Sequence, residues 1–345
     1  MLNKIKIKLD KELASYASRL GQNYKLKEIS PLLTEKIKDY IQRPGKRIRP
    51  TLFILGYLAY AKKSAPGLYR AALSLELLHD FMLVHDDIID KSDLRRGKPA
   101  MHKMFNDHFS QAQGIKFNGQ DLAIVAGDIL YALAMDAFLA VKEKPLNKEK
   151  ALKKFISAAL YTGCGEFIEL ELGVKPIEKI RQDDIYKIYD LKTAYYTFAY
   201  PLSIGAALAG APENQIKKIF NYGVQIGRAF QIKDDILGMF AEEKETGKSV
   251  LSDLQEAKKT LLIWKASHSA KSADKMQIRQ ILDKNKVLLS DLIKMRELIK
   301  NSGSLDYAQR QINLLHAQAV KISRTLTIPA AQKNTLLDLS QKILM

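Results

Sequence analysis

Two apolar segments of this sequence each end in a burst of aspartates, and any fold for the chain has to accommodate both. The first runs from Leu75 to Asp90 and closes on Asp86, Asp87 and Asp90. On a helix, residues four apart lie about 40° apart around the axis and about one turn apart along it, so Asp86 and Asp90 can reach one cation from one face. Asp87 is displaced by about 100° and can orient water or a second ion. Acids at a helix C-terminus oppose the macrodipole, which costs free energy unless cations bind there. The second segment, Gly227 to Gly238, repeats the design with Asp234 and Asp235. Oxygen-only clusters on two helices suit Mg²⁺, which takes one or two carboxylates per ion plus waters and substrate phosphates. His85 invites a zinc reading, yet no HExxH or Cys/His spacing accompanies it, so it reads as a supporting or structural group.

The rest of the chain favours long helices. Only 10 Pro and 18 Gly punctuate 345 residues, and hydrophobic (47%) and charged (27%) fractions exclude wholesale disorder. Apolar residues recur at helical spacing over 29–41, 51–61, 69–89, 122–141, 148–172, 185–209, 215–240 and 258–268, with further periodic segments to Leu344. Eight or more helices follow, joined by short helix connections at Arg43-Pro44-Gly45, Ser64 to Gly67, Arg96 to Pro99, Lys144-Pro145, Ala211-Pro212 and Thr246-Gly247-Lys248. No internal repeat or Gly/Ser-rich linker divides the chain, so residues 1–345 read as one all-α domain. Thr193 to Pro212 carries no charge over about the length of a membrane span, but with Pro201, Gly205 and Gly210 inside it reads as a buried central helix broken near Pro201. The N-terminus alternates Lys with apolar residues and lacks the apolar core of a signal peptide. Cys164 is the single cysteine, which fits a reducing, cytoplasmic setting.

Lys and Arg number 55 against 38 Asp and Glu, a net charge of +17 that points to an anionic partner: nucleic acid, acidic lipid or phosphorylated metabolite. Bulk charge does not choose among them; its placement does. Lys46, Arg47 and Arg49 sit in one helix-to-helix turn, and Arg95 and Arg96 follow the first acidic cluster almost immediately. Acids and bases within one short reach are what a metal-bound diphosphate demands, whereas a nucleic-acid surface wants a basic stripe without the acid clusters.

Together these segments resemble the trans-isoprenyl diphosphate synthase, or polyprenyl synthetase, family. Asp86 to Asp90 is similar to its first aspartate-rich motif and Asp234 to Gly238 to its second. Gly45 to Pro50, Ser92 to Pro99, Ala126-Gly-Asp128, Lys192-Thr193, Thr246 to Lys248, Asp253 to Thr260 and Gly303 to Ala308 follow in family order. The resemblance implies an all-α bundle around a deep central cavity, of the isoprenoid synthase type I kind, with three Mg²⁺ ions between the motifs. By matching position Asp86, Asp90 and Asp234 would bind metal, with Asp87 and Asp235 supporting. Lys46, Arg49, His79 and Arg96 would hold isopentenyl diphosphate; Arg95, Lys192, Gln231, Lys248 and Lys258 would hold an allylic diphosphate, and Thr193 would face the developing cation. The implied reaction is ionisation of the allylic diphosphate followed by head-to-tail condensation, which needs no side-chain nucleophile. None is legible in the sequence.

Two positions depart from the family pattern. Gly238 stands where many members carry the last Asp of the second motif, though the pattern with Gly also occurs among short-chain members. Position 80 is Asp, where the family more often has a small or aromatic residue. Product length is steric: the resemblance places the floor just upstream of the first aspartate, at Phe81, Met82 and Leu78. Phe81, five residues before Asp86, lies about 7.5 Å deeper along the helix axis, which favours a C20 product, with C15 next. A terpene cyclase on the same fold would need no second diphosphate site, and a non-catalytic subunit of a heteromeric synthase would be expected to lose acids that remain here. The resemblance also implies a homodimer, and no nucleic-acid partner or membrane span is expected.

Overall fold

The computed structural model describes residues 1–241 and 251–344, the side chains of Ser252 and Asp253 excepted. The chain forms helices α1 (Leu2–Ser18), α2 (Leu26–Ile29), α3 (Pro31–Ile41), α4 (Ile48–Leu58), α5 (Leu68–Ile89), α6 (Met101–His108), α7 (Gly119–Leu139), α8 (Pro145–Gly173), α9 (Gln182–Ile188), α10 (Tyr200–Leu208) and α11 (Glu213–Phe240), of which α1 and α6 fall outside the periodic segments read from the sequence. Helices Leu261–Ser269, Ser272–Leu282, Leu289–Asn301, Ser304–Arg324 and Ala330–Leu344 complete an all-α fold. Local chemistry sets several starts. Ser30 accepts from the Leu33 amide with Pro31 in the first turn of α3, and Asn118 and Asp121 form a reciprocal capping box that starts α7 three residues before its periodicity begins. Helix α1 was hidden by its lysines: Ile5, Leu9, Leu13, Tyr16 and Ala17 are nevertheless buried at helical spacing.

The uncharged stretch from Thr193 is interior, with Tyr196 to Leu208 buried throughout. It does not break at Pro201. A π-helix over Tyr189–Ala199 passes directly into α10, with Pro201 just past the junction. Helices α4 and α10 cross backbone to backbone at Gly56 and Gly205: a Cβ on Gly56 would meet the Leu202 carbonyl oxygen at 2.1 Å, and one on Gly205 the Phe53 oxygen at 2.1 Å. Among the described residues the helix long and apolar enough to span a membrane is instead Gly119–Leu139, whose inner face, Ala123, Ala126, Leu130, Ala134 and Ala137, is buried.

One connection read as plain loop is an antiparallel hairpin. Leu94–Arg95 pairs with Lys98–Pro99, and its turn residues Arg96 (φ 55) and Gly97 (φ 73) are both left-handed, as a tight hairpin turn requires. Two packed apolar clusters fill the fold, and α11 serves both: Ile219 and Tyr222 lie in one, Ala229 and Ile232 in the other. Its C-terminal half therefore carries Asp234 on a well-anchored rod.

Candidate active site

A cavity of about 910 Å³ opens between α5, α8, the π-helix and α11. Asp86 from α5 and Asp234 from α11 both line it, together with Asp235, Arg49, His79, Lys192, Thr193, Gln231 and Lys258. Phe81, Met82, Leu83, Tyr131 and Phe230 supply apolar wall. The π-helix matters to this arrangement. Its wide turns present Lys192, Thr193, Tyr196 and Thr197 to the same space, in keeping with the concentration of π-turns at functional sites. Gly165 lets α8 approach it: a Cβ there would sit 2.7 Å from the Lys192 amide nitrogen.

Each aspartate pair splits its duties. Asp86 faces the cavity, while Asp87 is buried and receives Arg95 Nε at 2.7 Å and the Tyr40 hydroxyl at 3.2 Å. Burial pushes the Asp87 carboxyl up, against the opposing pull of Arg95. In the second pair Asp234 is exposed to the cavity, and Asp235 is buried, accepting from Gln231 Nε2 at 2.8 Å and from the Tyr189 hydroxyl. Gln231 in turn accepts from Thr193 Oγ1 at 2.6 Å, so Thr193 is tied to the second motif through one amide.

Carboxylate oxygens of Asp86, Asp90 and Glu166 lie within 4.8 Å of one another, a group able to hold a metal ion. The donor set is all oxygen, which fits Mg²⁺ and not zinc. Crowding has an electrostatic signature: burial, then the Asp86 charge, pushes Asp90 up to about 7. Lys192 stands 2.7 Å from Glu166 and 3.6 Å from Asp86, and also pairs with Glu169. Burial works against its charge, but Glu169, Asp86 and Glu166 outweigh that and hold the ammonium above its ordinary value. Glu166 and Glu169 escaped the sequence reading; an acid pair three apart inside an apolar helix was the available signal.

The basic residues divide into three groups. Arg49 and His79 line the cavity, the Arg49 guanidinium lying 4.3 Å over the Tyr196 ring and donating to Thr197 Oγ1 at 2.8 Å. Burial, then Arg49 and Arg96, drive His79 well below its usual range, so its imidazole is neutral. Arg95 and Arg96 stand behind the wall. Arg95 is bound to Asp87 and lies 3.2 Å from Asp86, and Arg96 reaches Glu76 and Asp80, each at 3.4 Å. Lys46 is exposed at the turn before α4. Lys258 reaches the cavity while paired with Glu256 at 2.7 Å, and Lys248 lies outside the described residues. Of the floor residues, Phe81 and Met82 line the cavity, whereas Leu78 is fully buried in the core beside it.

Comparison with known proteins agrees with this geometry. The polyprenyl synthetase family model matches residues 30–299. A geranylgeranyl diphosphate synthase of Sulfolobus acidocaldarius is 33% identical over 293 residues, 84% of this chain and 83% of that protein. A geranylfarnesyl diphosphate synthase of Aeropyrum pernix is 33% identical over 310 residues, covering 86% and 90%. The crystal structure of a Corynebacterium glutamicum geranylgeranyl pyrophosphate synthase, complexed with isoprenyl diphosphate and magnesium, superposes with a TM-score of 0.89 at 26% identity, covering 100% of this chain and 99% of that one. Acid-lined cavity, helical frame and sequence lead to one conclusion: the chain belongs to the polyprenyl synthetase family.

Proposed function

We propose that this protein condenses isopentenyl diphosphate head to tail with an allylic diphosphate, giving an all-trans prenyl diphosphate of C20. The observation that carries the reading is the shared cavity: Asp86 and Asp234, from helices far apart in sequence, line one space whose far wall is apolar. Asp86, Asp90 and Asp234 would hold Mg²⁺, on this reading three ions, with Asp87 and Asp235 fixing the helix ends that carry them. Bound there, the metal supplies Lewis-acid neutralisation of the charge on a departing diphosphate. Lys192 and Lys258 donate to the same anion, and Arg95 holds Asp86 and Asp87 in place. The allylic C–O bond breaks, the apolar wall keeps water from the cation, and Thr193, oriented by Gln231, faces it. The isopentenyl double bond then forms the new C–C bond, and the proton lost passes to the released diphosphate.

Lys46, Arg49, His79 and Arg96 make the second diphosphate site on this reading. Arg49 Nε and Arg96 Nη1 are buried without partners, an expensive arrangement unless an anion arrives. A terpene cyclase has no use for such a site. Product length is set by Phe81, braced by ring contacts to Tyr131 (5.3 Å) and His85 (4.7 Å); a C25 product, as the geranylfarnesyl relative's name describes, would need more depth. We read the chain as one cytoplasmic domain working as a homodimer, supported by the exposed apolar pair Ile156 and Leu160, one turn apart on α8. Incubation of purified protein with Mg²⁺, isopentenyl diphosphate and dimethylallyl, geranyl or farnesyl diphosphate, followed by mass spectrometry, tests the reading. C20 supports it; no isopentenyl addition overturns it.

A further inference from the structure

Asp80 is a wholly buried acid that the reaction described above does not use. It lies one turn after Glu76 on α5, and neither of its carboxylate oxygens accepts a hydrogen bond. An unmatched carboxylate in the interior is costly, so a partner at short range is expected. The nearest is Arg96, whose Nη2 stands 3.4 Å from Asp80 Oδ1 and equally 3.4 Å from Glu76 Oε1. Glu76 is already committed to Arg47, so Asp80 supplies the second pull on Arg96. The Arg96 backbone is pinned in the left-handed turn of the hairpin, which leaves the aim of the guanidinium to these two acids. Its other terminal nitrogen, Nη1, is buried and unpaired.

We propose that Asp80 is a positioning residue that, with Glu76, holds the Arg96 guanidinium back from the incoming isopentenyl diphosphate and so weakens binding of that substrate. The proposal rests on the condensation reading above. Two anions compete for one cation, and strengthening either claim weakens the other. Charged and titratable groups facing Asp80 come from every side: Glu76 on its own helix, Arg47 and Arg49 at the start of α4, Arg96 on the hairpin, Tyr40 on α3 and Tyr196 on the π-helix. Burial pushes Asp80 up to about 8, with Arg96 the main opposing influence. The hold on Arg96 therefore tightens as pH rises from 7 to 9.

Calorimetric titration of isopentenyl diphosphate into the full chain and into Asp80→Asn, at pH 7 and pH 9, tests this. Asp80→Asn is expected to bind about fivefold more tightly at pH 9, with a smaller gain at pH 7 and no change in the KM for the allylic substrate. Asp80→Ser, which removes the charge without keeping the shape, should shift binding in the same direction. In an Arg96→Lys background the gain should shrink towards nothing, since the residues act through one guanidinium. Equal or weaker binding by both variants, or the same gain at both pH values, overturns the proposal. Failure of the wild-type chain to bind isopentenyl diphosphate at all would instead sink the condensation reading on which it stands.

Discussion

Asp86-Asp87 and Asp234-Asp235 read alike in sequence, yet the structure holds them by different chemistry. In both, the first acid is the more open to the cavity and the second the more deeply buried. Asp87 is held by a cation, the two-pronged Arg95 guanidinium, whereas the hydrogen bonds seen at Asp235 among the described residues come from Gln231 and the Tyr189 hydroxyl. The first motif is also surrounded by further charge, with Asp90, Glu166 and Lys192 within reach. One end of the site is thus an ion network that is sensitive to removal of any member. The other is a hydrogen-bonded strut that presents a single exposed acid.

That contrast can be broken at several points. Asp86→Ala should lower turnover by about 10²–10³-fold or more while helical circular dichroism is unchanged, as expected for loss of a group that organises charge stabilisation. Asp87→Asn removes the nearer of the two carboxylates that pair with the buried Arg95 guanidinium, leaving Asp86 at 3.2 Å, and should cost about 3 kcal/mol in chemical denaturation. Asp235→Asn keeps an acceptor for Tyr189 and should cost only about 1 kcal/mol. The pH dependence of stability separates the two ends as well. Asp90 would ionise near the ordinary aspartate value of 3.8 when unfolded but at about 7 when folded. Between those values the folded state holds a proton that the unfolded state has lost, so stability of the metal-free protein falls as pH rises through the window. Asp90→Asn should flatten that slope, read from denaturation midpoints at successive pH values. Smallest in its effect on rate, Phe81→Ala should lengthen products by one or more five-carbon units; unchanged products in mass spectrometry would place the floor elsewhere.

Much of the frame was legible because burial writes itself as helical periodicity: α5, α8 and α11 lie where apolar spacing put them. Helix α1 was missed because alternating lysines masked its buried face, and the 94–99 hairpin because four residues of strand leave no periodic trace. The π-helix is a matter of hydrogen-bond register, which apolar spacing does not encode, and without it the meeting of Lys192, Thr193, Tyr196 and Thr197 in one space could not be read. Asp86 and Asp234 stood out because each opens a run of acids at the end of an apolar helix. Glu166 and Glu169 did not, because their importance depends on Lys192 reaching them from another element. Spacing likewise could not say that Arg95 and Arg96 spend their charge on Asp87, Glu76 and Asp80 behind the wall.

The account stands or falls on whether both aspartate ends serve one metal centre. Manganese(II), a paramagnetic stand-in for magnesium, can be titrated into the protein with inorganic diphosphate and its binding followed by electron paramagnetic resonance. Asp86→Asn and Asp234→Asn should each weaken binding by about tenfold or more. Wild-type binding by Asp234→Asn would contradict the account, since the second motif would then stand outside the centre it is claimed to complete.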